Sequence, residues 1–285
     1  MIEERNIVSA YNSALKFAQA HYENFPVVSF LIPKKLRKHV AVIYWFARTA
    51  DDFADEGDFS EGERLEKLND FEFRFKQLTK GKASSGYEVA LANTIAERNL
   101  SPQHFYNLLK AFKQDVIKKR YKSYAELLDY CSNSANPVGR LILELFNIRN
   151  DEANFYSDKI CTALQITNFL QDVSVDYQKG RIYLPKDDLR MFNVTEKVFE
   201  MKENNLNFKK LLQFNVSRTQ KLFDEGKNLL QFIKGKLKFE IAWTVAGGEE
   251  ILNKIKTLDF DVLNERPSLT KTDFIKLLFK SFSKN

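Results

Sequence analysis

Apolar residues recur at the three- and four-residue spacing of an α-helix along most of this chain, and no stretch alternates convincingly as a β-strand. Ten glycines and six prolines in 285 residues also disfavour a turn-rich β-protein. The sequence therefore predicts an all-α fold. The predicted helices cover residues 3–20, a segment from Lys34 into an acidic end, and residues 102–120, 124–147, 151–177, 206–233, 237–258 and 270–281.

The connections between these helices are short, and the loosest is the segment 81–86. No internal repeat at solenoid spacing interrupts the pattern, so we expect one helical domain spanning residues 1–285. Ser60 and Ser123 are each followed three residues later by a glutamate, which predicts a capping box at both positions. Ser101 before Pro102 predicts a further helix start.

Charge and cysteine content exclude several classes of protein. The net charge of +6 comes from scattered lysines and arginines without a nucleic-acid motif, so we expect no nucleic-acid partner. The two cysteines and three widely separated histidines make neither a disulfide framework nor a zinc-site spacing. The longest apolar run, residues 40–47, has eight residues, whereas a spanning helix needs about 20. No secretory signal begins the sequence, and we expect a cytoplasmic protein. Peripheral membrane contact through the basic segment FIKLLFKSFSKN stays open, since an amphipathic core helix explains that segment equally well.

A first acidic pattern, DDFADE, ends the apolar run that begins near Val40. Asp51 and Asp55 are four residues apart and share one helix face, where two carboxylates repel each other unless a cation lies between them. The preceding residues are apolar on nearly every side, which indicates a buried helix whose acidic end lines a cavity. A solvated acidic helix end is the alternative.

A second pattern places Asn168, Asp172 and Asp176 at four-residue intervals, with Gln165 one turn earlier. The residues around them are apolar and belong in a core. Burying carboxylates and amides without partners is costly, and a metal ion supported by a phosphate-bearing ligand would remove that cost. Oxygen ligands alone suit Mg²⁺. An internally hydrogen-bonded polar stripe is the alternative.

Two further segments carry chemical interest. The small residues and Pro137 within segment 130–139 favour a helix kink. In segment 180–185, Arg181 could clamp a phosphate with several donors, although the string could also be a surface turn.

Together these segments resemble the squalene/phytoene synthase family of head-to-head isoprenoid synthases, over about residues 15–190. The order, the spacing and the residue types all agree with the family's motifs. The matching positions are Arg48, Asp51 and Asp55 for the first aspartate motif, Asn168, Asp172 and Asp176 for the second, segment 130–139 for YCxxxAxxVG, and segment 181–185 for RIYLP.

The resemblance implies an isoprenoid-synthase helical bundle around a central cavity, with Mg²⁺ bridging the diphosphate of a prenyl diphosphate to both acidic motifs. It implies catalytic and metal-binding roles for Asp51, Asp55, Asp172 and Asp176, with Asn168 as a further metal ligand. The residues it implies for substrate binding are His21, Tyr22, Asn24, Tyr44, Arg48, Tyr130, Gln165, Gln171, Arg181 and Tyr183. Contact with other enzymes of the same pathway stays open.

The chain also departs from the family pattern. Residues 23–26 read ENFP where many members carry Ser-Lys-Ser-Phe, and Gln171 replaces an arginine. Each change removes a positive charge that could face a diphosphate. An enzyme that binds two farnesyl diphosphates has more phosphate charge to neutralise than one that binds a single diphosphate. These features, with AGGEEIL near residue 250, resemble the hopanoid-pathway subfamily HpnC, which converts presqualene diphosphate to hydroxysqualene. Gly247 and Gly248 either make room for a prenyl chain or break a helix.

Three alternatives compete with this interpretation. Head-to-head condensation of two farnesyl or geranylgeranyl diphosphates uses the same scaffold. A head-to-tail chain elongator would show a second DDxxD, which is absent. A non-catalytic assembly or binding homologue would show decayed aspartates, and here they are intact. The sequence has no GxGxxG turn for NADPH, so we do not expect reduction to squalene.

Overall fold

Helices make up most of the computed structural model, which describes residues 2–20, 32–84, 86–270, 272, 273 and 277. The helices are α1 Ile2–Ala20, α2 Lys34–Asp55, α3 Glu61–Leu78, α4 Gly86–Arg98, α5 Pro102–Ile117, α6 Tyr124–Ser134, α7 Asn136–Leu145, α8 Asp151–Gln171, α9 Val173–Gln178, α10 Lys186–Met191, α11 Lys197–Glu200, α12 Leu206–Gly226 and α13 Gly235–Thr257. A 3₁₀ helix, Lys227–Gln231, follows α12. In these ranges β-pairing is limited to one parallel bridge between Arg120 and Ile182, which confirms the all-α prediction. None of the helices in the described ranges combines the length and the apolar character needed to cross a bilayer.

The helix bounds correct the sequence predictions at several points. The segment 124–147 forms two helices separated at Ala135, which confirms the interruption predicted beside Pro137. The segment 151–177 is also divided, because the backbone of Asp172 leaves helical geometry at φ −103° and ψ 18°. The sequence motifs do not predict helix α4, because Gly86 at its start belongs to the glycine- and serine-rich segment 81–86. The last predicted helix, 270–281, lies largely outside the described residues.

The two predicted capping boxes differ. At the start of α3, Glu63 N donates to Ser60 Oγ at 3.3 Å and Ser60 N donates to Glu63 Oε2 at 2.8 Å, which completes the box. At the start of α6, Glu126 N donates to Ser123 Oγ at 3.3 Å. The carboxylate of Glu126, however, accepts from Lys122 N. The second prediction is therefore correct for the N-cap alone, because the glutamate satisfies the preceding backbone donor instead.

The chain divides into two compact units. The first unit comprises Met1–Ile117 and Pro137–Asn150, and the second comprises Lys118–Asn136 and Asp151–Asn285. In the first unit, α2 packs against α1, α3, α4 and α5. The core there is aromatic: the ring of Phe46 lies within 5.0 to 5.2 Å, centroid to centroid, of three other phenylalanine rings. The expectation of a single domain stays a prediction.

In the second unit, α8 is the central helix, and it packs against α6, α12 and α13. Helix α13 runs without interruption through Gly247 and Gly248, so the helix-break alternative is wrong. A Cβ atom at Gly248 would lie 2.5 Å from Phe223 Cζ and 2.9 Å from Leu164 Cδ2. The absence of a side chain at Gly248 therefore lets α13 pack closely on its neighbours.

Candidate active site

The first acidic pattern lies at the end of α2, and Arg48 is at its centre. Arg48 Nε lies 2.7 Å from Asp52 Oδ1, Arg48 Nη1 lies 3.4 Å from Asp51 Oδ2, and Arg48 Nη2 lies 3.6 Å from Glu56 Oε1. The 2.7 Å contact is electrostatic, because neither of its two buried atoms makes a hydrogen bond. One guanidinium thus offsets repulsion among several carboxylates. Asp52 is not among the residues singled out by the sequence motifs, although its position four residues after Arg48 is typical of such an ion pair.

Tyr44 lies one turn before Arg48 on α2, half-buried and near the ring of Phe17. Burial raises the pKa of the Tyr44 phenol, and the positive charge of Arg48 acts against that rise. Tyr44 therefore carries a neutral hydroxyl near pH 7, which can donate a hydrogen bond. Asp51 and Asp55 are half-buried rather than fully solvated.

The second acidic pattern continues across the break between α8 and α9. Asp172 N donates to Asn168 O at 2.8 Å, and Asp176 N donates to Asp172 O at 2.8 Å. The helical hydrogen bonds therefore persist, and the three side chains stay on one face. Asn168 is exposed, and Asp172, Asp176 and Gln165 are half-buried. We call Asn168, Asp172 and Asp176 the oxygen line.

A segment far along the chain contacts the oxygen line. Arg266 Nε donates to Asp172 Oδ1 at 2.6 Å, and the amide nitrogen of the buried Gln171 donates to Pro267 O at 2.6 Å. No sequence signal predicts these contacts, because more than ninety residues separate the partners. The predicted role of Gln171 in substrate binding stays a prediction, and one of its amide donors is already used by the protein.

The segment 181–185 is buried throughout, so the surface-turn alternative is wrong. Arg181 N donates to Asp176 O at 2.8 Å, and Ile182 N donates to Lys119 O at 3.0 Å. These backbone bonds fix the segment beside the end of the oxygen line. The guanidinium-bearing residue Arg181 is only 8% exposed, which keeps its charge in an environment where electrostatic interactions are strong.

Aromatic rings form a wall beside this arginine. The rings of Phe169 and Tyr183 are stacked, and Tyr121 and Tyr130 lie against Tyr183 with centroids 5.6 and 6.1 Å away. A cavity next to the wall is lined by Asp176, Arg181, Tyr183, Phe169, Val173 and Phe199, among others. The structure thus brings predicted acidic, basic and aromatic residues of the second unit to one place.

The oxygen line is suited to a hard divalent cation. It offers one amide oxygen and two carboxylates, and Mg²⁺ commonly completes such an incomplete set with waters and phosphate oxygens. Among the described side chains, no three histidines, cysteines, aspartates or glutamates lie close enough together to hold a metal ion. The carboxylate and amide oxygens of the oxygen line are of the chemical type that Mg²⁺ binds together with a phosphate-bearing ligand.

Three predicted substrate-binding residues, His21, Tyr22 and Asn24, lie outside the described residues. Their roles stay predictions.

An all-α fold that carries both aspartate motifs and a buried RIYLP segment defines the class of protein, an isoprenoid synthase enzyme. The family model for squalene/phytoene synthase matches residues 18–273, and the chain belongs to that family.

Individual relatives agree with this assignment. The chain is 34% identical to hydroxysqualene synthase from Rhodopseudomonas palustris, over 95% of this chain and 92% of that protein. It is 33% identical to hydroxysqualene synthase from Zymomonas mobilis, over 98% of this chain and 93% of that protein. The crystal structure of squalene synthase HpnC from Alicyclobacillus acidocaldarius matches with a TM-score of 0.85 at 35% identity, over 89% of this chain and 95% of that one. The resemblance noted from the sequence is confirmed.

Proposed function

We propose that the protein converts presqualene diphosphate to hydroxysqualene and releases pyrophosphate with the help of Mg²⁺. One observation carries the proposal: Asp176 of the oxygen line, the buried Arg181 and the stacked rings of Phe169 and Tyr183 line the same small cavity. A carboxylate and a guanidinium next to aromatic rings are the chemical groups that a ligand with a charged diphosphate and an apolar chain requires. The similarity to proteins named hydroxysqualene synthase, over nearly their whole length, supports this choice of reaction.

Asn168, Asp172 and Asp176 would hold a divalent ion, and the resemblance to the family's first aspartate motif implies metal binding by Asp51 and Asp55 as well. When bound, the ion would neutralise charge on the departing pyrophosphate.

The chain's own cations and donors would orient the diphosphate. Arg181 presents a planar guanidinium that is charged at every relevant pH, and such a group can donate two parallel hydrogen bonds to phosphate oxygens. For Arg48 and Tyr44 in the first unit, a role in substrate binding is what the resemblance to the family's first aspartate motif implies. Arg48 already balances neighbouring carboxylates there.

The aromatic wall would act on the substrate carbon skeleton. Breaking the carbon–oxygen bond sends the bridging oxygen away with pyrophosphate and leaves a carbocation. The ring faces of Phe169 and Tyr183 carry negative electrostatic potential, which stabilises a nearby cation. This cyclopropylcarbinyl cation rearranges as a carbon–carbon bond of the cyclopropane ring breaks, and one water then forms the new carbon–oxygen bond at the rearranged cation and loses a proton. The atoms balance without a reductant, in keeping with the expectation that NADPH is not used.

The test is product analysis by mass spectrometry. Purified protein receives presqualene, farnesyl or geranylgeranyl diphosphate separately, each with Mg²⁺ or with EDTA. We expect hydroxysqualene and pyrophosphate only in the sample that contains both presqualene diphosphate and Mg²⁺. Absence of pyrophosphate release from presqualene diphosphate, or full activity in EDTA, would overturn the proposal.

A second candidate function is head-to-head condensation of two prenyl diphosphates. It is favoured by the 35% identity to the protein named squalene synthase HpnC. The same experiment separates the two candidates, because condensation yields a thirty-carbon product from farnesyl diphosphate alone.

A further inference from the structure

Residues 264–269, which we call the strap, come after α13 in the chain and contact Asp172 of the oxygen line through Arg266. At the start of the strap, Asn264 Nδ2 donates to Lys202 O at 3.2 Å, and the two preceding residues are buried. At its middle, two bonds run side by side. Gln171 donates to Pro267, and Arg266 donates to Asp172, so two consecutive residues of the strap contact two consecutive residues at the break between α8 and α9.

We propose that Arg266 is an internal counter-cation, which pairs with Asp172 in the metal-free protein and leaves that carboxylate when a divalent ion binds. Gln171 is the positioning residue that keeps Arg266 next to Asp172. This inference rests on the proposed function, since it assumes that Asp172 is a metal ligand.

The charges decide how the pair behaves. A guanidinium and a divalent ion compete for the same carboxylate, and their like charges disfavour binding both at once. The Arg266 side chain is 49% exposed and that of Asp172 is 27% exposed. An ion pair with this much access to water is weak. Arg266 can therefore compete with a metal ion for Asp172 and lower the metal affinity. Separating Arg266 from the carboxylate carries no large desolvation penalty.

Gln171 fixes the direction from which Arg266 approaches. Gln171 is 8% exposed, and its bond to Pro267 O is buried. Proline has a fixed φ and restricts the residue before it to extended conformations. Holding the Pro267 carbonyl therefore constrains Arg266, the residue just before it. Without the Gln171 donor, we expect the strap to move and the Arg266–Asp172 contact to weaken.

The experiment measures Mn²⁺ binding to the full chain without substrate, by electron paramagnetic resonance. Arg266→Gln should bind Mn²⁺ about five-fold more tightly than wild type, the effect expected for an exposed ion pair. Gln171→Met keeps the side-chain volume and removes the donor, and it should tighten binding about two-fold by the same reasoning. Arg190→Gln is the matched control, because it removes the same charge from an exposed pair with Asp187 and should leave the affinity unchanged.

The double variant tests the positioning role. If Gln171 acts through Arg266, adding Gln171→Met to Arg266→Gln should not tighten binding further. A fully additive effect would show that Gln171 acts by another route and would overturn its role. An unchanged or weakened affinity in Arg266→Gln would overturn the role of Arg266.

Asp172→Asn separates this inference from the proposed function. If that variant weakens Mn²⁺ binding while Arg266→Gln has no effect, only the inference fails. If Asp172→Asn leaves Mn²⁺ binding unchanged, the metal assignment fails, and the inference fails with it.

Discussion

The ring of Phe169 lies parallel to the ring of Tyr183, with centroids 3.7 Å apart and planes inclined by 7°. Phe169 follows Asn168 directly in the chain, and Tyr183 is two residues after Arg181. The stack therefore joins the first residue of the oxygen line to the segment that carries the buried arginine. Both rings are 8% exposed, so the contact contributes to the core as well as to the cavity.

We predict that Tyr183→Ala loses about 3 kcal/mol of unfolding free energy, because it removes a buried ring and leaves a cavity. Tyr183→Phe keeps the ring stack and should lose only about 1 kcal/mol. Urea unfolding followed by fluorescence measures both. Equal stability of the alanine variant and wild type would show that the stack has no structural role.

Asp172→Asn should lower the rate of pyrophosphate release from presqualene diphosphate by about 100-fold or more, since it removes a charge from the oxygen line. Asp187→Asn makes the same chemical change at an exposed position on α10 and serves as the control. Circular dichroism should show that both variants stay folded. A rate for Asp172→Asn within about two-fold of the control would contradict the site assignment.

Adjacent glycines in α13 should respond oppositely to alanine. At Gly248 the new Cβ would meet Phe223 at 2.5 Å, and relief of that overlap should cost about 1–3 kcal/mol. At Gly247 the nearest atom, Leu269 Cδ1, is at an ordinary 3.7 Å, so the better helix propensity of alanine should leave the protein as stable or slightly more stable. Thermal unfolding compares the two variants. A Gly247→Ala loss as large as that of Gly248→Ala would refute the close-packing explanation.

A buried histidine in the first unit gives a pH prediction. His39 is 1% exposed, its Nδ1 lies 3.0 Å from Thr94 Oγ1, and its Nε2 lies 3.3 Å from Glu97 Oε1. Burial lowers the pKa of His39 to about 4, although the carboxylate of Glu97 acts in the opposite direction and Lys38 adds to the lowering. His39 is therefore neutral in the folded protein near pH 7.

The sign of the effect follows from proton binding. Between pH 6.5 and pH 4 the unfolded chain protonates this histidine and the folded chain does not, so the free energy of unfolding falls as the pH falls through that window. Relative to His39→Gln, wild type should lose about 3 kcal/mol between pH 7 and pH 4. Urea unfolding at several pH values measures the difference. Parallel pH profiles for the two proteins would show that His39 does not titrate in this way.

The sequence predicts the long helices and the interruption near Pro137, but not the interruption at Asp172 or the short helix α4. Helix α2 and the spacing of the oxygen line follow from helical periodicity, whereas the role of Arg181 in substrate binding stays a prediction. The break at Asp172 could not be predicted, because the hydrogen bonds and the side-chain spacing continue through it. The start of α4 could not be predicted, because the glycine and serine residues before it are typical of a loop.

Tertiary contacts between distant segments were beyond prediction. Nothing near Asp172 in the sequence points to Arg266, since the contact depends on where the chain returns after α13. The His39–Thr94 hydrogen bond likewise joins residues 55 positions apart. A single sequence carries periodicity and motifs, which are local, whereas these contacts depend on packing.

The most direct test of the proposed ionisation is the fate of the oxygen atom from water. Presqualene diphosphate is turned over in H₂¹⁸O, and both products are analysed by mass spectrometry. Ionisation at carbon predicts ¹⁸O in hydroxysqualene and none in the released pyrophosphate. Labelled pyrophosphate together with unlabelled, unrearranged alcohol would mean that water attacks phosphorus, and it would contradict the ionisation mechanism.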